Sequence, residues 1–171
     1  MSKKNKLTVQ EISVFAMLGT LMFVSKLIME ALPNIHLIGM FTVAFTITYR
    51  VKALVPIYVF VFLTGLYAGF ALWWLPHLYI WTILWGLTML VPKNLSKKVA
   101  IPVYMILCGV HGLLYGILYA PGQALMYGLN FEGMIVWIIR GLPFDITHAC
   151  GNLVAGILIY PVSTALKKLK R

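Results

Sequence analysis

Residues Gly141–Asn152 read GLPFDITHACGN and lie between two apolar runs, MIVWII (Met134–Ile139) and LVAGILIYPV (Leu153–Val162). How this stretch is read decides the fold. If Pro143 is the first residue of a last helix reaching about Leu166, that helix is ~36 Å long at ~1.5 Å per residue. Residues 123–140 then form an outer cap, partly helical and lying in the membrane interface, because MIVWII is too short to cross a bilayer. The competing reading is one long last helix from Gly133, kinked at Pro143. The cap is the expectation adopted here. It places Asp145 in a first turn, where free N–H groups and the helix dipole favour a carboxylate. His148 and Asn152 follow three and seven residues later on the same face. Three polar groups on one stripe of an apolar chain should face the bundle interior. They form either a hydrogen-bonded packing network or the wall of a solute pocket, and the pocket is favoured.

Composition supplies the solvent. The chain has 171 residues, 61% hydrophobic and 11% charged, against about 25% charged in soluble domains. It cannot cover a water-facing surface, and lipid is the expected surroundings. At ~20 apolar residues per crossing there is room for about six spans. The expected fold is therefore an all-α integral membrane protein: one domain over residues 1–171, six transmembrane helices, short loops and both termini in the cytoplasm. The orientation comes from charge placement. The net charge is +10, and 12 of the 14 Lys and Arg residues fall in alternate connections: SKKNK at the start, Arg50 and Lys52, Lys93, Lys97 and Lys98, and KKLKR at the end. Only Lys26 and Arg140 fall elsewhere. The positive-inside rule assigns these connections to the cytoplasm, where they also meet anionic headgroups. Basic residues with this job do not indicate nucleic acid. SKKNK also resembles a signal-peptide start, but no A-x-A-like cleavage site follows, so the first span is expected to be retained. Cys108 and Cys150 lie in apolar segments without CxxC spacing and read as packed thiols.

The six spans run from about Ile12 to Leu32, Ile35 to Tyr49, Ala53 to Leu72, Pro76 to Val91, Ile101 to Ala120 and Pro143 to Leu166. Pro33-Asn34 ends the first, and Pro121-Gly122 reads as the turn that stops the fifth. KALVPIY (Lys52–Tyr58) and KVAIPVY (Lys98–Tyr104) echo each other. Each should start a helix from the cytoplasmic side, with proline in its first turn.

Other polar and aromatic stripes could converge on Asp145, His148 and Asn152. PHLYIWTILWGLT (Pro76–Thr88) sets His77, Trp81, Trp85 and Thr88 near one face, and HGLLYGILYAPGQ (His111–Gln123) steps His111, Tyr115 and Tyr119 by four. A pocket of this kind is apolar and ring-lined with few polar groups, as small-molecule sites are. No HExxH or i,i+4 histidine pair suggests a metal, no serine is set beside a base, and no Walker A loop is present. Neither enzyme chemistry nor ATP hydrolysis by this chain is expected, and no metal or cofactor. Arg140 could pair with Asp145 or Glu132. In the first span Ser13, Ala16, Gly19 and Thr20 make a small-residue face, suited either to internal packing or to docking a partner helix.

Three stretches carry a family resemblance: LPNIHLIGMFTVAFT (Leu32–Thr46), KALVPIYVFVFLTGL (Lys52–Leu66) and LPFDITHACGNLVAGIL (Leu142–Leu158). With the six short spans and basic start, the whole chain resembles the substrate-binding S component of an energy-coupling factor (ECF) transporter, an ABC-type importer. The resemblance implies a binder of a scarce micronutrient, a B vitamin or precursor, in a prokaryotic plasma membrane. Its partners would be a membrane coupling subunit and two ATPases, and it would topple in the membrane to deliver solute. The family's first helix carries A-x-x-x-A for docking the coupling subunit; here Ala16 and Thr20 match, with one departure. By resemblance the substrate would meet Asn34, His36, His77, Trp81, His111, Tyr115, Asp145, His148 and Asn152. The chain begins Met-Ser-Lys rather than the Met-His of nickel and cobalt members, which argues against that branch. The ring-rich wall suggests a small heteroaromatic vitamin. The alternative function is a stand-alone secondary transporter or channel for a small polar solute.

Overall fold

A computed structural model describes residues 7–169; the charge clusters at Lys3–Lys6 and at Lys170 and Arg171 lie outside the described residues. The chain forms eight α-helices among the described residues: α1 (Val9–Ile28), α2 (Ile38–Tyr49), α3 (Leu54–Ala68), α4 (Leu75–Leu90), α5 (Lys97–Leu113), α6 (Tyr115–Tyr127), α7 (Phe131–Ala155) and α8 (Ile159–Leu169). Short 3₁₀ turns, Arg50–Ala53 and Gly156–Leu158, join α2 to α3 and α7 to α8, and Leu72–Trp74 leads into α4. Four segments are long and apolar enough to cross a membrane: Val9–Ile28, Ile38–Ala68, Lys97–Tyr127 and Phe131–Leu169.

α2 is the hub. It is apolar all round except for threonines, and ten of its 12 residues are buried, as expected of a helix surrounded by others. Thr46 and Thr48 donate to the carbonyls of Thr42 and Ala44 one turn back, which keeps those hydroxyls paired. The outer helices turn apolar side chains outward. Met17 and Val24 of α1, Phe62 and Leu66 of α3, Ile106 and Val110 of α5, and Ile139 and Phe144 of α7 are all exposed. Apolar faces on every long element call for an apolar solvent, and a multi-pass membrane protein is consistent with them.

Small residues set the closest helix contacts, as they do where lipid supplies no hydrophobic drive between helices. α5 lies along α7 and the turn that follows it through three glycines. A Cβ on Gly109 would meet Leu153 at 3.0 Å, one on Gly112 would meet Ala149 Cα at 3.0 Å, and one on Gly156 would meet Met105 Cα at 2.6 Å. α1 meets α3 at Gly19, where a Cβ would come 2.7 Å from the Pro56 carbonyl.

Several expected boundaries are corrected. α1 starts at Val9 because Thr8 and Glu11 form a capping box: Glu11 N–H donates to Thr8 Oγ1 at 3.1 Å, and Thr8 N–H to the Glu11 carboxylate at 3.0 Å. Pro121-Gly122 does not stop a helix. The break falls at Leu114, and α6 continues through Pro121 to Tyr127. Gly122 is instead a contact point, packed on the Pro76 ring of α4. Pro102 is six residues into α5 rather than in its first turn, whereas Pro56 does sit in the first turn of α3. The outer cap at 123–140 is overturned. α7 starts at Phe131, capped by Asn130 whose side chain accepts from Gly133 N–H at 2.8 Å, and runs unbroken through Pro143. Asp145 is therefore mid-helix.

Candidate binding site

The loop after α1 doubles back in tight turns, with Leu32 N–H donating to Met29 O and Ile35 N–H to Leu32 O. This returns His36 to the bundle. Its ring lies edge-on to His148 of α7 at 4.7 Å between centroids and to Trp81 of α4 at 6.0 Å. His148 in turn meets Tyr115 at 4.9 Å. Trp81 is 5.7 Å from His111 at the end of α5 and 6.0 Å from Tyr115 at the start of α6. Five separate parts of the chain thus bring six of the nine expected site residues, His36, Trp81, His111, Tyr115, His148 and Asn152, to or beside one place. The break at Leu114 changes none of the expected stepping: Tyr119 still stacks on Tyr115, 6.0 Å away, and also on Trp137 at 6.2 Å. His77 occupies a second tier beside Tyr119 (6.0 Å) and Trp73 (5.6 Å).

Asn152 is 1% exposed and sits between two helices that approach through glycine. A Cβ on Gly39 of α2 would fall 3.0 Å from its Oδ1, and one on Gly112 of α5 would fall 2.8 Å from its Nδ2. Among the described residues neither atom has a protein partner, and the same holds for Trp81 Nε1, His111 Nδ1 and His148 Nε2. Buried polar atoms are ordinarily paired, and leaving one unpaired costs about 1–3 kcal/mol. Hydrogen bonds at these unpaired atoms are what a bound solute could supply.

Two other expected site residues, Asp145 and Asn34, behave differently. Asp145 faces inward, but its Oδ1 accepts from Gly116 N–H at 3.1 Å. Gly116 is in the first turn of α6, so Asp145 caps that helix from α7 rather than the start of its own. The exposed Arg140 is not its partner. Asn34 is exposed and takes the left-handed conformation (φ 57°) that lets the loop reverse; it lies outside the ring cluster. Trp85 and Thr88 also leave the α4 stripe. Trp85 Nε1 donates to Arg50 O at 3.1 Å, and Thr88 bonds Leu84 O within its own helix.

His36 also lines a groove of about 780 Å³ between the loop and α7, with Ile35, Thr147, Cys150 and Gly151. Cys150 is exposed and Cys108 buried, so only the latter is a packed thiol. His36 lies outside the spanning segments, and burial pushes its imidazole down to about 4. Residues that pattern reading did not single out are Gly116, Gly39, Gly112 and Trp137. The glycines carry no side chain to advertise a role, and Trp137 belongs to the stretch read as a cap.

The small-residue face of α1 divides. Gly19 is buried against α3, while Ser13, Ala16 and Thr20 are exposed, with the hydroxyls of Ser13 and Thr20 bonded to Val9 and Ala16 carbonyls. Internal packing therefore uses Gly19 and leaves Ala16 and Thr20 outward. No known protein family, curated protein or solved structure matches this chain.

Proposed function

We propose that the chain is the substrate-binding membrane subunit, the S component, of an ECF-type importer for a vitamin-like micronutrient. The observation that carries this reading is the buried ring cluster with unpaired nitrogen and oxygen atoms on Trp81, His111, His148 and Asn152. Such a site offers ring faces and a few directional polar groups, which suits capture of a small flat solute. In this reading α2 and α3 cross separately and α4 adds a further crossing, making six membrane segments, with both termini on the cytoplasmic side of a prokaryotic plasma membrane. The exposed, hydroxyl-satisfied strip of Ala16 and Thr20 would receive the coupling subunit, whose two ATPases would hydrolyse ATP. The chain itself would act as binder rather than enzyme.

The test begins with native mass spectrometry of protein purified gently from cells grown in rich medium. A stoichiometric heteroaromatic compound, followed by uptake in proteoliposomes only when coupling and ATPase subunits are added, is the expected result. Gradient-driven uptake by the chain alone would replace this reading with a secondary carrier. A chemically altered solute would replace it with an enzyme.

A further inference from the structure

The hydrogen-bonding sense of the cluster narrows its ligand. His111 Nε2 is 3.2 Å from the carbonyl oxygen of Ile80. A carbonyl only accepts, so Nε2 carries the proton, and the Nδ1 of the neutral ring is a lone-pair acceptor. That Nδ1 is buried without a protein partner. The neighbouring Trp81 is the opposite case: its indole Nε1–H can only donate, and it too is unpaired. The two rings are 5.7 Å apart. Asn152 adds both an amide donor and an amide acceptor, again unpaired.

Charge is scarce at the same place. Asp145, the acid on this face of α7, has one carboxylate oxygen accepting from Gly116 N–H, and its charge bears on Tyr115 rather than on Trp81 or His111. The cation whose charge reaches the cluster is Lys26, half-buried in the last turn of α1, which acts on His36. A charged ring against Trp81 and His111 would be desolvated with no charged side chain hydrogen-bonded to either residue. A purely apolar ring would leave the polar atoms unpaired.

Building on the proposed binding role, we propose that the cluster selects a flat, uncharged heterocycle carrying a hydrogen-bond donor beside an acceptor, as a cyclic amide or an aminopyrimidine does. His111 Nδ1 receives the ligand's N–H, and Trp81 Nε1–H meets its acceptor. His111 and Trp81 are thereby the specificity-determining pair, and Ile80 fixes the tautomer that makes His111 an acceptor.

The experiment uses the full-length protein in nanodiscs and four probes: 2-pyridone, N-methyl-2-pyridone, benzoate and benzamidinium. Affinities are read by ligand-observed NMR titration. The expected result is that 2-pyridone binds about tenfold or more tighter than its N-methyl form, the loss of one good hydrogen bond, and tighter than either ion. His111→Phe should shrink the methylation penalty to within about twofold, and Trp81→Phe should weaken 2-pyridone while leaving that penalty in place. The methylation comparison needs no variant, so it stands even if a substitution harms folding. Equal binding of the two pyridones, or preference for benzoate or benzamidinium, overturns the inference. A native complex with a charged-ring vitamin overturns it too, yet leaves the importer reading standing. Absence of binding by all four probes, together with empty native mass spectra, would sink both.

Discussion

Around Glu11 and Lys52, polar side chains find partners within the fold, whereas around His148 and Asn152 they are buried and left open. At the first place Lys52 Nζ lies 2.6 Å from Glu11, Arg50 donates to Met89 O at 2.8 Å, and Trp85 donates to Arg50 O. At the second, the His36, His111 and His148 rings and the Trp81 indole come within ring-contact distance, yet His111 Nδ1, His148 Nε2, Trp81 Nε1 and the nearby Asn152 amide have no partner among the described residues. Both sets are brought together by distant parts of the chain, so proximity alone does not separate structure from binding. Satisfaction does. A polar group that is buried, positioned and unpaired costs the fold free energy that a ligand can return.

The largest effect that could break this contrast is on affinity. His148→Phe keeps a ring in place but removes its nitrogens, and it should weaken the solute recovered with the protein by about 10–100-fold. Lys52→Met, at the paired end, should change affinity less than about twofold. Isothermal titration of both variants decides, and comparable losses would erase the distinction between the two regions.

Asp145 tests a residue that lies near the open cluster but is paired. Asp145→Ala strands Gly116 N–H and should cost about 1–3 kcal/mol of stability, read as a lower melting temperature in detergent. Asp145→Asn keeps an acceptor oxygen and should recover most of that loss. An Asn variant that melts normally but loses affinity more than tenfold would move Asp145 to the ligand.

A smaller effect is expected from pH. His36 is held down to about 4 by burial, from an ordinary 6.5, with Lys26, His111 and His77 opposing its charge and the His148 and Trp81 rings against it. Between those values the unfolded chain binds a proton that the folded chain does not. Stability from this group is therefore fully present above about pH 6.5 and declines as pH falls toward about 4. Melting temperature measured across that window should flatten in His36→Phe, and an unchanged slope would show that other groups carry it.

The smallest change is predicted at the paired end. Glu11→Gln can preserve the capping box, since glutamine serves in that position, but it loses the ion pair with the half-exposed Lys52. The cost should stay within about 1 kcal/mol and shrink further in high salt. A larger, salt-independent loss would mean that the pair anchors α1 beyond its charge.

Much of this was legible along the chain because its signals are local. The scarcity of charge identified the solvent, and the polar stripe Asp145–His148–Asn152 followed from helical spacing alone, whichever residue starts the helix. The capping box at Thr8 and Glu11 is equally local, though hydropathy, which bounds the first span near Ile12, does not register it. Two of the prolines teach the opposite lesson. Pro121-Gly122 and Pro143 carry turn signals, but packing carried helices through both, with Gly122 needed against Pro76 and α7 capped earlier at Asn130.

By itself the sequence determined an apolar helical chain, the faces on which its histidines and aromatics fall, and the residue types available to a ligand. Only the tertiary structure decided which of those faces meet, that Asp145 accepts from Gly116 while the Asn152 side-chain amide has no partner among the described residues, and that Ala16 and Thr20 face outward. The physical reason is that helical periodicity fixes directions around one axis. Whether a polar atom is paired depends on a second helix, and here that helix approaches through glycines whose positions carry no side-chain signal.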